Sequence, residues 1–175
     1  MHILICGYGF VGQAHAFALE QTHEVTVYDP AKGHKGWKIK PDGVVICVST
    51  PAHKNGACNI NNVYDVLEHT DHRVPVLIKS TISLEGWLYL VKTFPKHKLT
   101  FSPEYLRADH AFEDFAKQNT VWLGGGDVEF WQKVLSVLDV DFKTAQPEEL
   151  ILTKYFRNSF LAAKVAFFNQ IHDLC

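Results

Sequence analysis

Ile3-Leu4-Ile5-Cys6-Gly7-Tyr8-Gly9-Phe10-Val11-Gly12 decides the fold. Four apolar residues read as a short strand buried on both faces, and three glycines in G-x-G-x-x-G spacing follow at once. Val11, Ala14, Phe17 and Ala18 then recur at helical spacing through Glu20. Strand, glycine turn and helix open a βαβ unit. Each glycine has a mechanical reason: Gly7 for the tight turn, Gly9 for close approach of a pyrophosphate to the backbone, Gly12 for helix–strand packing. The helix start offers free N–H groups and a positive dipole end to the anion. Val25–Tyr28 reads as a second strand ending at Asp29, where a carboxylate takes the adenosine ribose hydroxyls. The cofactor-binding residues expected here are Gly7, Tyr8, Gly9, Phe10, Val11, Gly12 and Asp29. Asp29 favours NAD over NADP because an acid repels a 2′-phosphate; Lys32 and Lys35 close by weaken that discrimination. The competing reading is a glycine turn with no ligand, and the acid after the second strand weighs against it.

Short apolar runs continue down the chain at Val44–Val48, Val76–Lys79, Leu99–Ser102 and Thr120–Leu123. Helical patterns lie between them at Asn62–His69, Leu84–Phe94 and Asp127–Leu138. The expected fold is α/β: a doubly wound, Rossmann-like, mostly parallel sheet with helices on both faces. Residues 30–43 are too short and too rich in Gly and Pro for a crossover helix plus strand, so at most Trp37–Ile39 adds a short edge strand.

From Pro147 nothing breaks a helix for 28 residues. Leu152, Phe156, Phe160, Ala163, Phe167, Ile171 and Leu174 form one apolar stripe. Lys154, Asn158, Leu161, Val165 and Phe168 form a second, nearly opposite. A helix apolar on two sides is expected between its own sheet and a second copy of the chain. The expected domains are a shortened cofactor domain over 1–146 and a dimerising long helix over 147–175.

Several segments together make the chain resemble the UDP-glucose/GDP-mannose dehydrogenase family, over that family's N-terminal cofactor domain and central helix. The glycine loop at 7–12 is one. Val48-Ser49-Thr50-Pro51 is similar to a Val-Pro-Thr-Pro turn, with Ser49 in place of the first proline. Asn55-Gly56-Ala57-Cys58-Asn59-Ile60, Lys79-Ser80-Thr81 and Ser102-Pro103-Glu104-Tyr105-Leu106-Arg107 follow in family order, then Glu113-Asp114-Phe115. Glu149, Lys154-Tyr155, Asn158, Phe160-Leu161-Ala162, Lys164 and Asn169 resemble the central helix. The resemblance implies oxidation of a nucleotide sugar's primary alcohol by hydride transfer to NAD, with UDP-glucose the first substrate to consider. It adds Ser49, Thr50, Pro51 and Thr81 to the cofactor site. It implies Glu104, Tyr105, Leu106, Arg107, Lys154 and Asn158 at the substrate. Lys154, Asn158, Glu104 and Thr81 are the implied catalytic residues. The i,i+4 pair Lys154 and Asn158 faces one way and can stabilise an oxyanion, while Glu104 and Thr81 can hold or activate a water. Thr81 has a second reading as a helix N-cap.

The departures are specific. The family's C-terminal nucleotide-binding domain, which carries its catalytic cysteine, has no counterpart in these residues, and Cys175 falls too early to match it. The family's helix-and-strand insert after the second strand is also missing. The second acid of the Pro-Glu-Phe-Leu-x-Glu stretch is Ala108, with Asp109 beside it.

Composition bounds the rest. The net charge of −2 argues against a general nucleic-acid binder, and no apolar run reaches the roughly 18 residues of a membrane span. The N-terminus lacks a basic head and long apolar stretch, so a cytoplasmic location is expected. Four cysteines show no Cys-x-x-Cys spacing and ten histidines show no metalloprotease spacing, so reduced thiols and no metal are expected. Two functional readings stand: an NAD-dependent dehydrogenase, or a catalytically incomplete NAD-binding module, including half of a split enzyme.

Overall fold

The computed structural model describes residues 1–35, 37, 39–107 and 110–175. Among the described residues, eight strands form one sheet in the order β3-β2-β1-β4-β5-β6-β7-β8. They are β1 (His2–Cys6), β2 (Glu24–Asp29), β3 (His34–Lys35), β4 (Gly43–Ile46), β5 (Val76–Ile78), β6 (Leu99–Phe101), β7 (Thr120–Gly125) and β8 (Asp141–Thr144). The helices are α1 (Phe10–Leu19), α2 (Asn61–His69), α3 (Leu84–Thr93), α4 (Ala111–Lys117), α5 (Val128–Val134) and α6 (Pro147–Leu174). This is the doubly wound, Rossmann-like sheet expected, with a long C-terminal helix.

The continuous apolar runs follow from burial on two faces. Leu4, Cys6, Val44, Ile46, Val76 and Ile78 point to a core shared with α2 and α3. Their neighbours Ile3, Ile5, Val45 and Leu77 point the other way, onto α1 and α5. Alternate side chains of one strand thus serve opposite cores, and neither face can be polar.

Three features depart from the sequence reading. β7 runs antiparallel to β6, which the strand–helix alternation did not suggest. β8 was not expected; Asp-Phe-Lys-Thr is a largely exposed edge strand whose pattern resembles a loop. After β2, Pro30–Lys32 forms a single 3₁₀ turn, and the short edge strand is His34–Lys35, antiparallel to β2. The edge strand expected at Trp37–Ile39 includes Lys38, which lies outside the described residues, as do Ala108 and Asp109.

α6 starts at a capping box: the Gln146 N–H donates to Glu149 Oε2 at 3.1 Å, and the Gln146 side chain accepts from the backbone N–H of residue 149. Trp87 Nε1 donates to Glu148 at 3.1 Å, tying α3 to the same turn. Only Pro147, Leu150, Ile151 and Lys154 of α6 are buried. The expectation that one stripe packs along its own sheet is corrected: every residue from Tyr155 onward is exposed, on both stripes. A 28-residue helix is about 42 Å long, and the sheet edge covers only its first two turns. No helix is long and apolar enough to cross a membrane among the described residues.

Candidate active site

β1, β2, β4, β5 and β6 point the same way, so the loops leaving their C-terminal ends gather along one sheet edge. The strand order reverses between β1 and β4, and ligands of open α/β sheets bind at such a reversal.

The glycine loop turns there. Gly7 has φ +93°, and a Cβ on it would lie 2.5 Å from the Cys47 carbonyl oxygen. A Cβ on Gly12 would lie 2.0 Å from the Gly7 oxygen. Gly9, the N-cap of α1, meets nothing within 4 Å. No side chain caps this helix, and its first turn carries no acid. The protein's own packing therefore demands Gly7 and Gly12 and leaves the space over Gly9 and the first N–H groups of α1 for an anion. These residues fit a dinucleotide pyrophosphate.

Asp29 Oδ2 accepts the Tyr8 N–H at 2.8 Å, and Oδ1 accepts the Lys32 N–H at 3.3 Å. Lys32 Nζ donates to the Tyr8 carbonyl at 2.6 Å, closing a clasp between loop and turn. Gly7, Asp29 and Ser49 line one groove of about 740 Å³ with Tyr28, Trp37 and His69. Phe10 is exposed at the first position of α1, and Val11 lines a different cavity. Ser49 is held by Asn62, whose amide donates to its carbonyl at 2.9 Å. The Thr50 hydroxyl donates to the Thr81 carbonyl at 2.6 Å, joining the turn that ends in Pro51 to the loop after β5. The N-cap of α3 is Ser83, whose Oγ accepts the Gly86 N–H at 3.0 Å, so the N-cap reading of Thr81 is corrected.

A second cavity, about 690 Å³, is lined by Val11, Thr81, Glu104, Tyr105, Leu106, Arg107, Lys154 and Asn158. These come from four separate stretches of chain. Arg107 is clamped by Asp114, its Nε and Nη2 donating at 3.0 and 2.7 Å. That guanidinium holds the Asp114 carboxyl well below the usual carboxylate range. Arg157 lies 4.3 Å over the Tyr105 ring. Lys154 is buried, and desolvation pushes its ammonium down to about 8, opposed by the Glu104 carboxylate.

Thirty-two per cent identity over 146 residues relates this chain to the UDP-glucose 6-dehydrogenase of Rickettsia conorii, covering 77% of this chain and 34% of that protein. Over these residues the chain matches the N-terminal part of the UDP-glucose/GDP-mannose dehydrogenase family. The UDP-glucose 6-dehydrogenase of Rhizobium meliloti is 31% identical over 155 residues, 35% of its length. The chain thus spans about a third of the curated relatives it matches. Among solved structures, the GDP-mannose dehydrogenase of Pseudomonas aeruginosa superposes with a TM-score of 0.79 at 21% identity, over 98% of this chain and 52% of that one. The UDP-glucose dehydrogenase of Pyrobaculum islandicum gives 0.80 at 23%, over 97% and 52%. Both share the fold. No family model matches.

Sequence reading missed the roles of Lys79, Ser102 and His15, which surround Glu104 behind the second cavity. Lys79 and Glu104 form a buried ion pair, and Lys79 Nζ donates to Ser102 Oγ at 2.7 Å. His15, also buried, puts Nε2 3.6 Å from Glu104 Oε1. Lys79 stands in the quoted Lys-Ser-Thr, but nothing in that tripeptide says that its lysine turns inward. All four cysteines are free thiols; burial pushes the Cys47 thiol up to about 12.

Proposed function

We propose that this chain binds NAD in the 740 Å³ groove and oxidises the C6 primary alcohol of a nucleotide sugar, UDP-glucose first, in the 690 Å³ cavity. The observation that carries the reading is the second cavity. Thr81, Glu104, the 105–107 stretch, Lys154 and Asn158 converge on it from distant chain positions, beside Val11 of the glycine loop. A protein that only held a dinucleotide would need the glycine loop and Asp29, and no buried lysine beside a carboxylate.

Bound NAD supplies the hydride acceptor. The chain's residues do the rest. Gly9, Phe10, Val11 and Gly12 present backbone N–H groups to the pyrophosphate, Gly7 and Tyr8 shape the loop with their own N–H groups held by Tyr28 and Asp29, and Asp29 takes the ribose hydroxyls and favours NAD over NADP. Ser49, Thr50, Pro51 and Thr81 form the wall toward the substrate. Lys154 and Asn158, one helical turn apart, stabilise negative charge developing on the alcohol oxygen. Burial is what equips Lys154 for this. An ammonium poised near 8 gives up or holds its proton at little cost around neutral pH. Glu104, with Thr81, accepts the hydroxyl proton directly or through a water. Tyr105, Leu106 and Arg107 line the sugar and diphosphate. Two copies pair through the exposed stripes of α6.

Purified chain mixed with NAD and UDP-glucose is expected to form NADH, read at 340 nm, and Lys154→Ala to lose roughly a hundredfold or more in kcat. NADH counted per sugar separates a two-electron from a four-electron oxidation. A second reading, an NAD-binding module, draws on the glycine loop and the 740 Å³ groove alone. NAD binding with no turnover across UDP- and GDP-sugars would establish that reading instead.

A further inference from the structure

Resting on the dehydrogenase reading above, we propose that His15 is a positioning residue for Glu104, its bare Nε2 standing ready to accept a hydrogen bond from Glu104 once that carboxylate has taken the substrate's hydroxyl proton. The ring's other nitrogen fixes the tautomer. His15 Nδ1 lies 2.9 Å from the Val11 carbonyl, one turn back on α1. A carbonyl only accepts, so Nδ1 carries the hydrogen. Phe115 of α4 packs edge-on against the ring at 4.8 Å and fixes its plane. Nε2 is thereby aimed at Glu104 Oε1, 3.6 Å away.

What Nε2 carries follows from the charges around it. Among the described residues, Lys79 after β5 and Lys154 on α6 already set two ammonium groups against the single Glu104 carboxylate. Cys47 after β4 is a neutral thiol, and the Tyr105 phenol beside Glu104 is pushed up by burial and stays neutral. A third cation in this dry cluster would have no counter-ion among the described residues. Burial drives the imidazole down to about 4, so His15 is neutral and the contact is not an ion pair. A lone pair and a carboxylate oxygen then face each other with no hydrogen between them.

Oxidation supplies that hydrogen. The alcohol's O–H bond breaks and its proton goes to Glu104. The C–H bond breaks and its electron pair leaves as hydride to the cofactor. The new carboxyl O–H donates to Nε2, and no bond of His15 breaks. The proton leaves later to solvent. The resting repulsion becomes a hydrogen bond only after proton transfer, which is where an interaction helps the rate. His15 also sits one turn from Val11, so the helix that starts at the cofactor loop holds the catalytic carboxylate in register.

The test uses the full 175-residue chain labelled with 15N-histidine, His15 being assigned by the signals lost in His15→Phe. Near neutral pH the expected spectrum shows a protonated Nδ1 and a bare Nε2. Glu104→Gln, whose amide can donate, is expected to move the Nε2 resonance upfield. A His15 protonated at Nε2 overturns the proposal. In turnover, His15→Phe is expected to lower kcat roughly tenfold to a hundredfold, with KM for NAD unchanged, and to move the acid limb of the kcat profile to lower pH. His15→Gln, which returns an acceptor oxygen, is expected to recover most of the loss. A His15→Phe profile matching wild type overturns the proposal while leaving the dehydrogenase reading intact. A wild-type chain that binds NAD but oxidises no nucleotide sugar overturns that reading instead, and the nitrogen spectrum then decides the proton placement alone. It does so equally if His15→Phe fails to fold, with Glu104→Gln providing the assignment.

Discussion

Gly9 and Gly12 lie three residues apart and answer to different constraints. Gly12 is required by the fold, since any side chain there enters the Gly7 carbonyl. Gly12→Ala is expected to destabilise by about 3 kcal/mol or more, read by urea denaturation, because backbone rather than a flexible side chain must move. Gly9 has φ −76° and open space over it. Gly9→Ala is expected to melt within a few degrees of wild type and to bind NAD at least about tenfold more weakly, read by calorimetry. His15 makes a prediction about stability as well. Its folded value near 4 lies below the ordinary 6.5, so the unfolded chain binds the extra proton between those values. Stability is expected to fall by about 3 kcal/mol as pH drops through that window, and the His15→Phe chain to show a flatter profile in urea melts.

The elements differ in how openly the sequence announces them. Strands β1, β4 and β5 were legible because both faces are buried, which leaves an unbroken apolar run. β7 was legible as a strand and not as an antiparallel one, since apolar pattern carries no direction. The seven residues of α4 were too few for a helical period to stand out, and β8 buries too little to differ from a loop. α6 was legible end to end, but its partner was not; a helical wheel shows that two sides are apolar, not what covers them. Phe156, Phe160, Phe167 and Phe168 stand 57–69% exposed, more aromatic surface than a free helix keeps in water. Light scattering is expected to give a dimer, and Phe160→Glu with Phe167→Glu to give a monomer whose cofactor domain still melts cooperatively.

At the scale of the whole molecule, two cavities share one sheet edge and meet at the loop and helix that begin with Gly7. Cofactor and substrate are therefore expected to stabilise the chain separately. NAD at a hundred times its Kd contributes about 2.7 kcal/mol, seen as a raised Tm, and Lys154→Ala is expected to keep that rise while losing turnover. The residues lining the second cavity were readable from motif order. The polar cluster behind it was not: His15 and Lys79 sit inside apolar patterns, and the packing of α1 against the loop after β6 and the pairing of β5 with β6 bring them to Glu104.

The clasp at Asp29 constrains how this protein can change. Both oxygens of the Asp29 carboxylate already hold backbone N–H groups, one from the glycine loop and one from the turn that replaces the crossover. Exchanging it for a neutral or basic residue would undo the loop's anchorage and, on the NAD reading proposed above, the choice of dinucleotide with it. Evolution, or an engineer, wanting a phosphorylated cofactor would have to rebuild residues 30–35 first and residue 29 last.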